Sequence, residues 1–244
     1  MRRLHLQLKA HIGWRAKGEG KNGGVPMNKT KVVSVNVGLP REVVWKGMSV
    51  QTGIFKEPVE GPVMVAPLNL AGDRQADLTV HGGLNKAVYG YPAEHYEYWS
   101  AQLPDRKLSW GNFGENLTTT GLFEHTLCIG DRLRVGSALL TVTQPRMPCY
   151  KLAIRFGRDD MIQRFLASGR SGFYFSVVEP GEVSAGSEIE IVSRDSSRVT
   201  VADIAKLYLG QTGDSDLLQR ALSLSALPSN WKDALQARAE AASE

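Results

Sequence analysis

Apolar and polar positions alternate along several short, valine-rich segments of the chain, which is the pattern of half-buried β-strands. The first segment, KVVSVNVGLP, closes with a glycine and a proline, two residues that end strands. A later segment consists of two alternating runs joined by Gly136 and Ser137. A two-residue link with a leading glycine predicts a hairpin with a type II′ turn. The predicted strands cover residues 31–40, 61–70, 131–144 and 187–194.

Apolar residues three and four positions apart predict two helices between these strands. Residues 92–103 start with a proline, which is favoured in the first turn of a helix, and set their aromatic residues on one side. Residues 160–168 follow an acidic pair and stop before Gly169, which suits a helix C-terminus.

The pattern changes to helical throughout after residue 194. The sequence TVAD at residues 200–203 predicts a capping-box start of one helix, and polar caps also begin the segments 214–224 and 228–239. Three short helices bury little apolar surface alone, so we expect them to dock on the strands or on a partner.

Many short strands with few helices are typical of a mainly β protein with α, and they favour a β-barrel over a doubly wound sheet. We expect the barrel and its short helices to occupy residues 27–194, and a C-terminal three-helix appendage to occupy residues 195–244. Residues 1–26 end in a glycine-rich connector and lack the continuous apolar run of a secretory signal. We interpret them as a basic, flexible extension without a fold of its own, with an organelle-targeting segment as the alternative.

Composition fits a globular protein with a sizeable core, because 42% of the 244 residues are apolar. The formal net charge is +4, but residues 1–26 hold six basic residues against one glutamate, so the rest of the chain sums to −1. A body this close to neutral offers no general attraction for phosphate backbones. We therefore expect neither nucleic acid nor a membrane as a partner, and we expect a cytoplasmic protein.

Two cysteines, Cys128 and Cys149, are too few for a disulfide scaffold, which agrees with a reducing compartment. Zinc-finger, phosphate-loop and dinucleotide-binding motifs are all absent from the sequence. The sequence also lacks a flavin or nicotinamide fingerprint and has too few cysteines for an iron–sulfur cluster. Cys128, between a leucine and an isoleucine, fits an inert buried residue.

Cys149 stands in the segment TQPRMPCYKL, surrounded by two prolines and two basic residues. Pro145 and Pro148 fix the backbone and remove N–H donors, so we expect the segment to leave the sheet as a rigid loop. Arg146 and Lys151 would favour a thiolate. A small buried residue is the simpler interpretation of an arbitrary cysteine, but such a residue needs neither the prolines nor the charges.

A second polar stretch, residues 71–91, contains the tripeptide His81-Gly82-Gly83. Adjacent glycines leave their backbone N–H groups unobstructed, which suits close approach to an anion. An ordinary β-turn beside a structural histidine is the simpler interpretation of the same residues.

These stretches, in this order, closely resemble the MOSC family, which includes the C-terminal part of molybdenum-cofactor sulfurases, the mitochondrial amidoxime-reducing enzymes and compact bacterial proteins. The matching blocks include GDRQADLTVHGG, FGENLTTTGL, IGD, QPRMPCYKL and SGFYFSVVEPGEVSAGSEIEIVSR, within residues 31–194. The helices after residue 195 resemble the 3-alpha appendage of bacterial members that act on N-hydroxylated bases such as 6-hydroxylaminopurine. The resemblance implies a MOSC-type β-barrel.

In that family, the cysteine corresponding to Cys149 binds the molybdenum of the molybdenum cofactor, a molybdopterin dithiolene. A soft thiolate suits a metal that already has two sulfur ligands. His81 is the second catalytic candidate, and either it or an acidic neighbour could pass a proton. Basic side chains and open amides would meet the pterin's phosphate and the anionic metal core. The cofactor-binding candidates are Arg74, His81, Gly82, Gly83, Lys86, Arg146 and Lys151.

Three further polar residues have both a ligand and a structural interpretation. Glu115 and Asn116 could orient the pterin or cap a turn, and both interpretations stay open. Asp131 reads as a turn residue rather than a ligand.

The resemblance implies reduction of small N-hydroxylated bases to amines, with a separate protein as the electron donor. One alternative is a carrier module that holds the cofactor, or passes sulfur through Cys149, without reducing a substrate. The pyridoxal-phosphate domain of the sulfurases is missing here, which weakens the sulfur-transfer version. Another alternative is a metal-free nucleophile pair of Cys149 and His81. The oligomeric state stays open, with a homodimer as one alternative.

Overall fold

The structure, a computed structural model, describes residues 30–77 and 81–243, and its side chains as far as residue 241. The extension predicted for residues 1–26 lies outside this part of the chain. The strands are β1 Lys31–Val37, β2 Arg41–Trp45, β3 Met48–Thr52, β4 Glu57–Val59, β5 Val63–Val65, β6 Val88–Pro92, β7 Leu117–Thr120, β8 Arg132–Val135, β9 Ala138–Pro145, β10 Phe173–Glu179, β11 Gly181–Val183 and β12 Ile189–Ser193. The helices are α1 Glu94–Gln102, α2 Tyr150–Phe156, α3 Met161–Ser168, α4 Val201–Tyr208, α5 Ser215–Ser223 and α6 Ser229–Ser243, with a short 3₁₀ helix at Leu84–Lys86.

Eight strands form one mixed sheet in the order β12-β8-β9-β10-β6-β7-β1-β4, and only β6 and β7 run parallel. β1 also bonds the segment that enters β12. Val32 N donates to Ser187 O, and Ile189 N donates to Thr30 O, each at 2.9 Å. Because β12 and β1 stand near opposite ends of the strand order, these bonds close the sheet on itself. The predicted class, mainly β with α, is confirmed.

The hairpin predicted around Gly136 is formed by β8 and β9, which pair from Val135–Ala138 to Arg132–Thr141. Gly136 has φ 56°, whereas Ser137 is not among the residues with positive φ. A positive φ at the first link residue alone is the requirement of a type II′ turn. A second hairpin, β2 and β3, escaped the sequence patterns, although its link residues Lys46 and Gly47 both have positive φ, as a type I′ turn requires.

Three expectations of secondary structure need correction. The strand expected over residues 61–70 is only β5, three residues long. Pro92 ends β6, where it pairs with Thr119, and α1 begins two residues later. The segment after Cys149 was expected to stay a loop, but α2 begins at the next residue, Tyr150.

The C-terminal helices pack on the sheet, which was the first of the two expected docking modes. The predicted capping box is present: Thr200 Oγ1 accepts from Asp203 N, and the Asp203 carboxylate accepts from Thr200 N. Ile204, Ala221 and Trp231, one from each helix, are buried in the same apolar cluster as the sheet residues. The boundary predicted at residue 195 falls between β12 and α4, and the core continues across it. None of the described helices combines the length and the apolar character that crossing a bilayer requires.

A second, mostly aromatic cluster packs α1, α2 and α3 against β6. Tyr91 of β6 stacks on Phe113 with ring centroids 4.6 Å apart, and Phe113 lies 5.1 Å from Phe156 of α2. Trp99 of α1 and Phe165 of α3 are fully buried beside them. These contacts hold α2 against the sheet, and thereby fix the position of Cys149, which directly precedes that helix.

Candidate active site: a cationic cavity around Cys149

Cys149 lies at the junction between the last residues of a strand and the start of a helix. β9 ends at Pro145, which pairs with Phe173 of β10, and residues 146–149 have no regular structure. Cys149 has φ −120° and ψ 175° and occupies the N-cap position of α2. The segment therefore leaves the sheet at the first proline, as predicted, and the half-buried Cys149 is held between two packed elements.

The Cys149 side chain lines a cavity with about 660 Å³ of empty space, including its open mouth. The lining includes most of the residues proposed from the sequence: His81, Gly82, Lys86, Asn116, Arg146, Cys149 and Lys151. It also includes residues that the sequence patterns did not single out: Thr52, Gly53, Ile54, Lys56, Gln75, Ala76, Tyr89, Gly114, Met147 and Tyr174.

His81 and Cys149, 68 positions apart, are in contact in this cavity. His81 Nε2 lies 3.4 Å from Cys149 Sγ, within hydrogen-bonding distance of a sulfur. Burial, followed by the charges of Lys151 and Lys86, lowers the pKa of His81 to about 4. The imidazole is therefore neutral at neutral pH, and its Nε2 can accept from a thiol or donate to a thiolate. His81 Nδ1 is buried and bonds no other described residue.

Arg146 brings an almost fully buried positive charge to the cavity wall. Its side chain is 6% exposed, and its Cζ lies 5.1 Å from the ring centroid of Tyr89 and 5.0 Å from that of Phe165. Arg146 Nη1 is buried and has no hydrogen-bond partner in the described part of the chain. Because an unpartnered buried donor is unfavourable, this nitrogen indicates a position for an anionic group of a ligand.

Two lysines extend this positive wall. Lys151 lies in the first turn of α2 and is 7% exposed, and Lys86 ends the 3₁₀ helix. Burial lowers the pKa of Lys86. Across residues 30–77 and 81–241, no acidic side chain lines the cavity. The cavity is therefore electropositive, which favours anionic ligands.

Lys56 enters the cavity wall with its charge balanced by Asp73. Its ammonium donates to Asp73, which also accepts from Asn116 Nδ2 at 3.0 Å and from Gly38 N at 2.9 Å. Burial lowers the pKa of Lys56, against the raising effect of Asp73. Asn116, proposed as a cofactor ligand, thus reaches the cavity while its amide nitrogen supports this buried pair.

Three proposed cofactor residues do not line the cavity. Glu115 is fully buried, and its carboxylate accepts from Gly111 N at 2.8 Å and Phe113 N at 3.1 Å, so it caps the preceding turn. Of the two interpretations left open for Glu115, the turn cap agrees with these contacts. Arg74 and Gly83 are exposed residues outside the lining. Gly83 immediately precedes the 3₁₀ helix and has φ 82°.

The other thiol belongs to a structural cluster. Cys128 is 5% exposed, and its amide donates to the fully buried Asp131 carboxylate at 2.9 Å. Asp131 also accepts from Asp195 N at 3.0 Å and from Arg194 Nη1 at 2.7 Å. Burial, followed by the Asp131 charge, raises the pKa of the Cys128 thiol. Asp131 therefore holds a turn together, in agreement with the reading as a turn residue.

No three histidine, cysteine, aspartate or glutamate side chains among the described residues are grouped as they would be around a metal ion. A metal at Cys149 would therefore need most of its ligands from a bound cofactor.

Comparison with known proteins identifies the family. The chain matches the MOSC domain model over residues 77–190 and the YiiM-like, 3-alpha helix domain model over residues 199–241. It is 42% identical over 201 residues to YflK of Bacillus subtilis (strain 168), covering 82% of this chain and 90% of YflK. It is 41% identical over 189 residues to YiiM of Escherichia coli (strain K12), covering 77% of this chain and 84% of YiiM. The chain therefore belongs to the MOSC family and carries the YiiM-like 3-alpha domain.

A solved structure and a more distant relative add to this comparison. The crystal structure of YiiM from Geobacillus stearothermophilus superposes with a TM-score of 0.71 at 33% identity, covering 86% of this chain and 99% of that one. A protein of Gibberella moniliformis (strain M3125 / FGSC 7600) named "Reductase" is 31% identical over 181 residues. That match covers 73% of this chain but only 32% of the fungal protein.

Proposed function

We propose that the protein is a molybdenum-cofactor-dependent oxidoreductase that reduces N-hydroxylated bases to amines. The observation that carries the proposal is the Cys149 thiol, which lines an open cavity together with basic side chains and, among the described residues, with no acidic side chain. MOSC membership supports a role for the molybdenum cofactor, and the relative named "Reductase" supports an oxidoreductase.

The residues of the cavity fit the cofactor that the family implies. Cys149 offers a soft sulfur ligand for a thiophilic metal whose other sulfur ligands come with the cofactor. The buried, unpartnered Arg146 Nη1 offers a donor for an anionic group of the cofactor. Lys86 and Lys151 add positive charge for its phosphate. We therefore assign metal binding to Cys149 and cofactor binding to these three basic residues, together with Gly82 and Asn116.

When bound, the cofactor would supply the two-electron step: a hydroxylamine, two electrons and two protons give an amine and water. The chain itself contributes positioning and proton control. A neutral His81 can donate from Nε2 to the Cys149 thiolate at 3.4 Å, which fixes the direction of the sulfur. With one nitrogen donating and the other accepting, the same ring can pass a proton without becoming charged. The electrons would come from a separate donor protein.

A metal-free thiol enzyme is a second candidate, favoured by the same contact. A cysteine beside a histidine that accepts its proton is the arrangement of a nucleophile activated by a base. The unpartnered Arg146 donor favours the cofactor-dependent enzyme, since a nucleophile pair alone has no need of a buried cation.

The test uses protein produced in a host that synthesises the molybdenum cofactor. Molybdenum is measured by elemental analysis, and N–O reduction of a hydroxylaminopurine is assayed anaerobically with a reduced viologen dye. We expect about one molybdenum per chain together with turnover. Metal without turnover indicates the carrier alternative instead, and thiol-dependent hydrolysis without metal indicates the nucleophile pair.

A further inference from the structure

Three arginines are grouped on two phenylalanine rings outside the cavity lining. Arg41 Cζ lies 3.7 Å from the ring centroid of Phe55, and Arg155 Cζ lies 5.0 Å from the same centroid. Arg106 Cζ lies 5.2 Å from the Phe156 ring, and Arg106 Nη2 donates to Arg155 O at 3.1 Å. We call Arg41, Arg106 and Arg155 the arginine cluster.

The arginine cluster forms no ion pair among the described residues, and the buried Glu115 carboxylate acts on Arg155 only from a distance. Within the described ranges, no carboxylate lies within ion-pair distance of any of the three guanidinium groups. Burial, followed by the charges of Arg106 and Arg41, lowers the pKa of Arg155. Arg155 Nε is also a buried donor that bonds none of the described residues. Like charges repel, so the aromatic rings hold together a group that an external anion would stabilise.

This cluster is continuous with the cavity at two points. Lys151 lines the cavity, and Arg155 follows it by four residues on α2, so the two side chains lie on the same helix face one turn apart. Phe55 stands between Ile54 and Lys56, which both line the cavity. An anionic surface seated on the cluster would therefore lie beside the cavity wall.

The hairpin β2–β3 enlarges this surface. It begins at Arg41, and its two strands pair only with each other. Val44 and Met48 are 76% and 63% exposed. At the tip, Lys46 Nζ lies 2.9 Å from the Asp159 carboxylate, in the link between α2 and α3. Met48 pairs with Trp45 and so shares a face of the hairpin with Arg41, whereas Val44 lies on the opposite face. Exposed arginine and methionine side chains on one face are typical of a protein-protein interface rather than of an enclosed ligand site.

We propose that the arginine cluster and the β2–β3 hairpin form the docking surface for an acidic electron-carrier protein. The proposal rests on the proposed function, because reducing a hydroxylamine to an amine and water consumes two electrons and two protons. Each electron leaves a reduced carrier, which is oxidised by one electron, and the protons come from solvent. Positive charge beside the cavity wall would orient an acidic carrier with its redox group towards the site.

The test compares two electron sources for the cofactor-loaded protein. Reduced flavodoxin, a small acidic flavoprotein, is the probe for docking, and reduced methyl viologen is a small donor that needs no docking surface. For Arg41→Gln combined with Arg155→Gln, we expect flavodoxin-driven kcat/KM to fall about 10-fold at low ionic strength. Viologen-driven turnover should be unchanged, and the difference between variant and parent should shrink in high salt.

Arg132→Gln is the matched control, since Arg132 is an exposed strand arginine on β8 that belongs to neither the cluster nor the cavity lining. It removes the same charge and should leave both rates unaltered. Arg41→Gln alone serves if the double variant folds poorly, because Arg41 is exposed, and we expect a drop of about threefold.

Binding provides a readout independent of turnover. The dissociation constant of flavodoxin, measured by calorimetry, should rise with each cluster substitution and not with Arg132→Gln. The docking surface would be overturned if Arg132→Gln weakened flavodoxin binding as much as the cluster substitutions did. It would also be overturned if flavodoxin binding to the parent did not depend on salt. Absence of viologen-driven reduction in the parent would instead refute the proposed function, and the binding measurement would still decide on the surface.

Discussion

The two cysteines of this chain lie in opposite surroundings. Cys149 faces a cavity, 3.4 Å from a neutral imidazole and beside buried positive charge. Cys128 is nearly inaccessible, and its backbone amide donates to the negatively charged Asp131 carboxylate. Burial and this negative charge raise the pKa of Cys128 and keep it a thiol. Exposure and the sign of the local charge, rather than residue type, therefore separate a candidate ligand from a structural residue.

Backbone direction causes much of this difference. At Cys149 the chain leaves β9 through a segment with two prolines and turns into α2, so the side chain is presented at an element boundary. Cys128 instead forms an isolated bridge with Thr200, flanked by backbone bonds that tie residues 127–129 to residues 199–201. Its backbone joins two parts of the core, and its thiol fills space between them.

The largest expected effect is that of Cys149→Ser in protein from the cofactor-competent host. Replacing the soft sulfur ligand should lower bound molybdenum and N–O reduction by about 100-fold or more, with unfolding free energy within about 0.5 kcal/mol of the parent. Elemental analysis, turnover and urea unfolding measure these quantities. Cys128→Ser is the matched control and should retain metal and turnover. The reverse pattern would mean that the reactive thiol is Cys128.

Asp131→Ala should have the next largest effect, on stability alone. It leaves the buried amide of Cys128 without an acceptor and removes the partner of Arg194, so we expect a loss of about 3 kcal/mol in the free energy of unfolding. Urea unfolding at pH 7 measures the loss. The rate at which iodoacetamide alkylates Cys149 should not change at temperatures where the variant is folded, and a slower rate would link the two sites.

His81→Gln should change the pH dependence of stability by a smaller amount. The pKa of His81 is about 4 in the folded chain and about 6.5 when unfolded, so between these values the unfolded state binds more protons. The contribution of His81 to the free energy of unfolding therefore rises as the pH increases from about 4 to about 6.5, and it is constant above that range. We expect His81→Gln to flatten this rise by about 1 kcal/mol, less than the full shift because the ring is only partly buried. Identical pH profiles for parent and variant would contradict the lowered pKa.

Cys128→Ala should have an effect on stability as small as that of His81→Gln, and none on activity. Removing a buried sulfur leaves a small void, and we expect a stability loss of about 1 kcal/mol. Turnover and the alkylation rate of Cys149 should match those of the parent. A loss above about 3 kcal/mol would show that the thiol itself makes contacts that its backbone bonds do not explain.

Local signals in the sequence were sufficient for part of the fold and of the candidate site. The two prolines before Cys149 and the two glycines after His81 alter the allowed backbone conformations whatever the tertiary structure is. Both segments could therefore be identified from the sequence alone. The contact between His81 and Cys149 could not be predicted from residues alone, because it depends on how β6, β9 and β10 pair. Family resemblance supplied their joint role as an expectation.

The remaining wall of the cavity could not be found in this way. Lys56 and Tyr174 lie in segments whose sequence patterns carry no sign of a binding site. The folding of the sheet places them in the same cavity wall as Cys149. Glu115 was ambiguous because a carboxylate after a glycine can bind a ligand or cap a turn, and several backbone and side-chain donors turn it inward. α2 is seven residues long, too short for a clear helical period.

Because the sheet and the C-terminal helices share one core, the helices cannot be exchanged independently between related proteins. Side chains from α4, α5 and α6 belong to the same apolar core as the strands. The helical segment therefore cannot be removed, or transferred to another barrel, without changing that core. A chain ending at Arg194 would lose the cluster residues that the three helices supply, would expose apolar residues of the sheet, and would be prone to aggregate. Swapping such segments between family members requires their sheet faces to be exchanged with them.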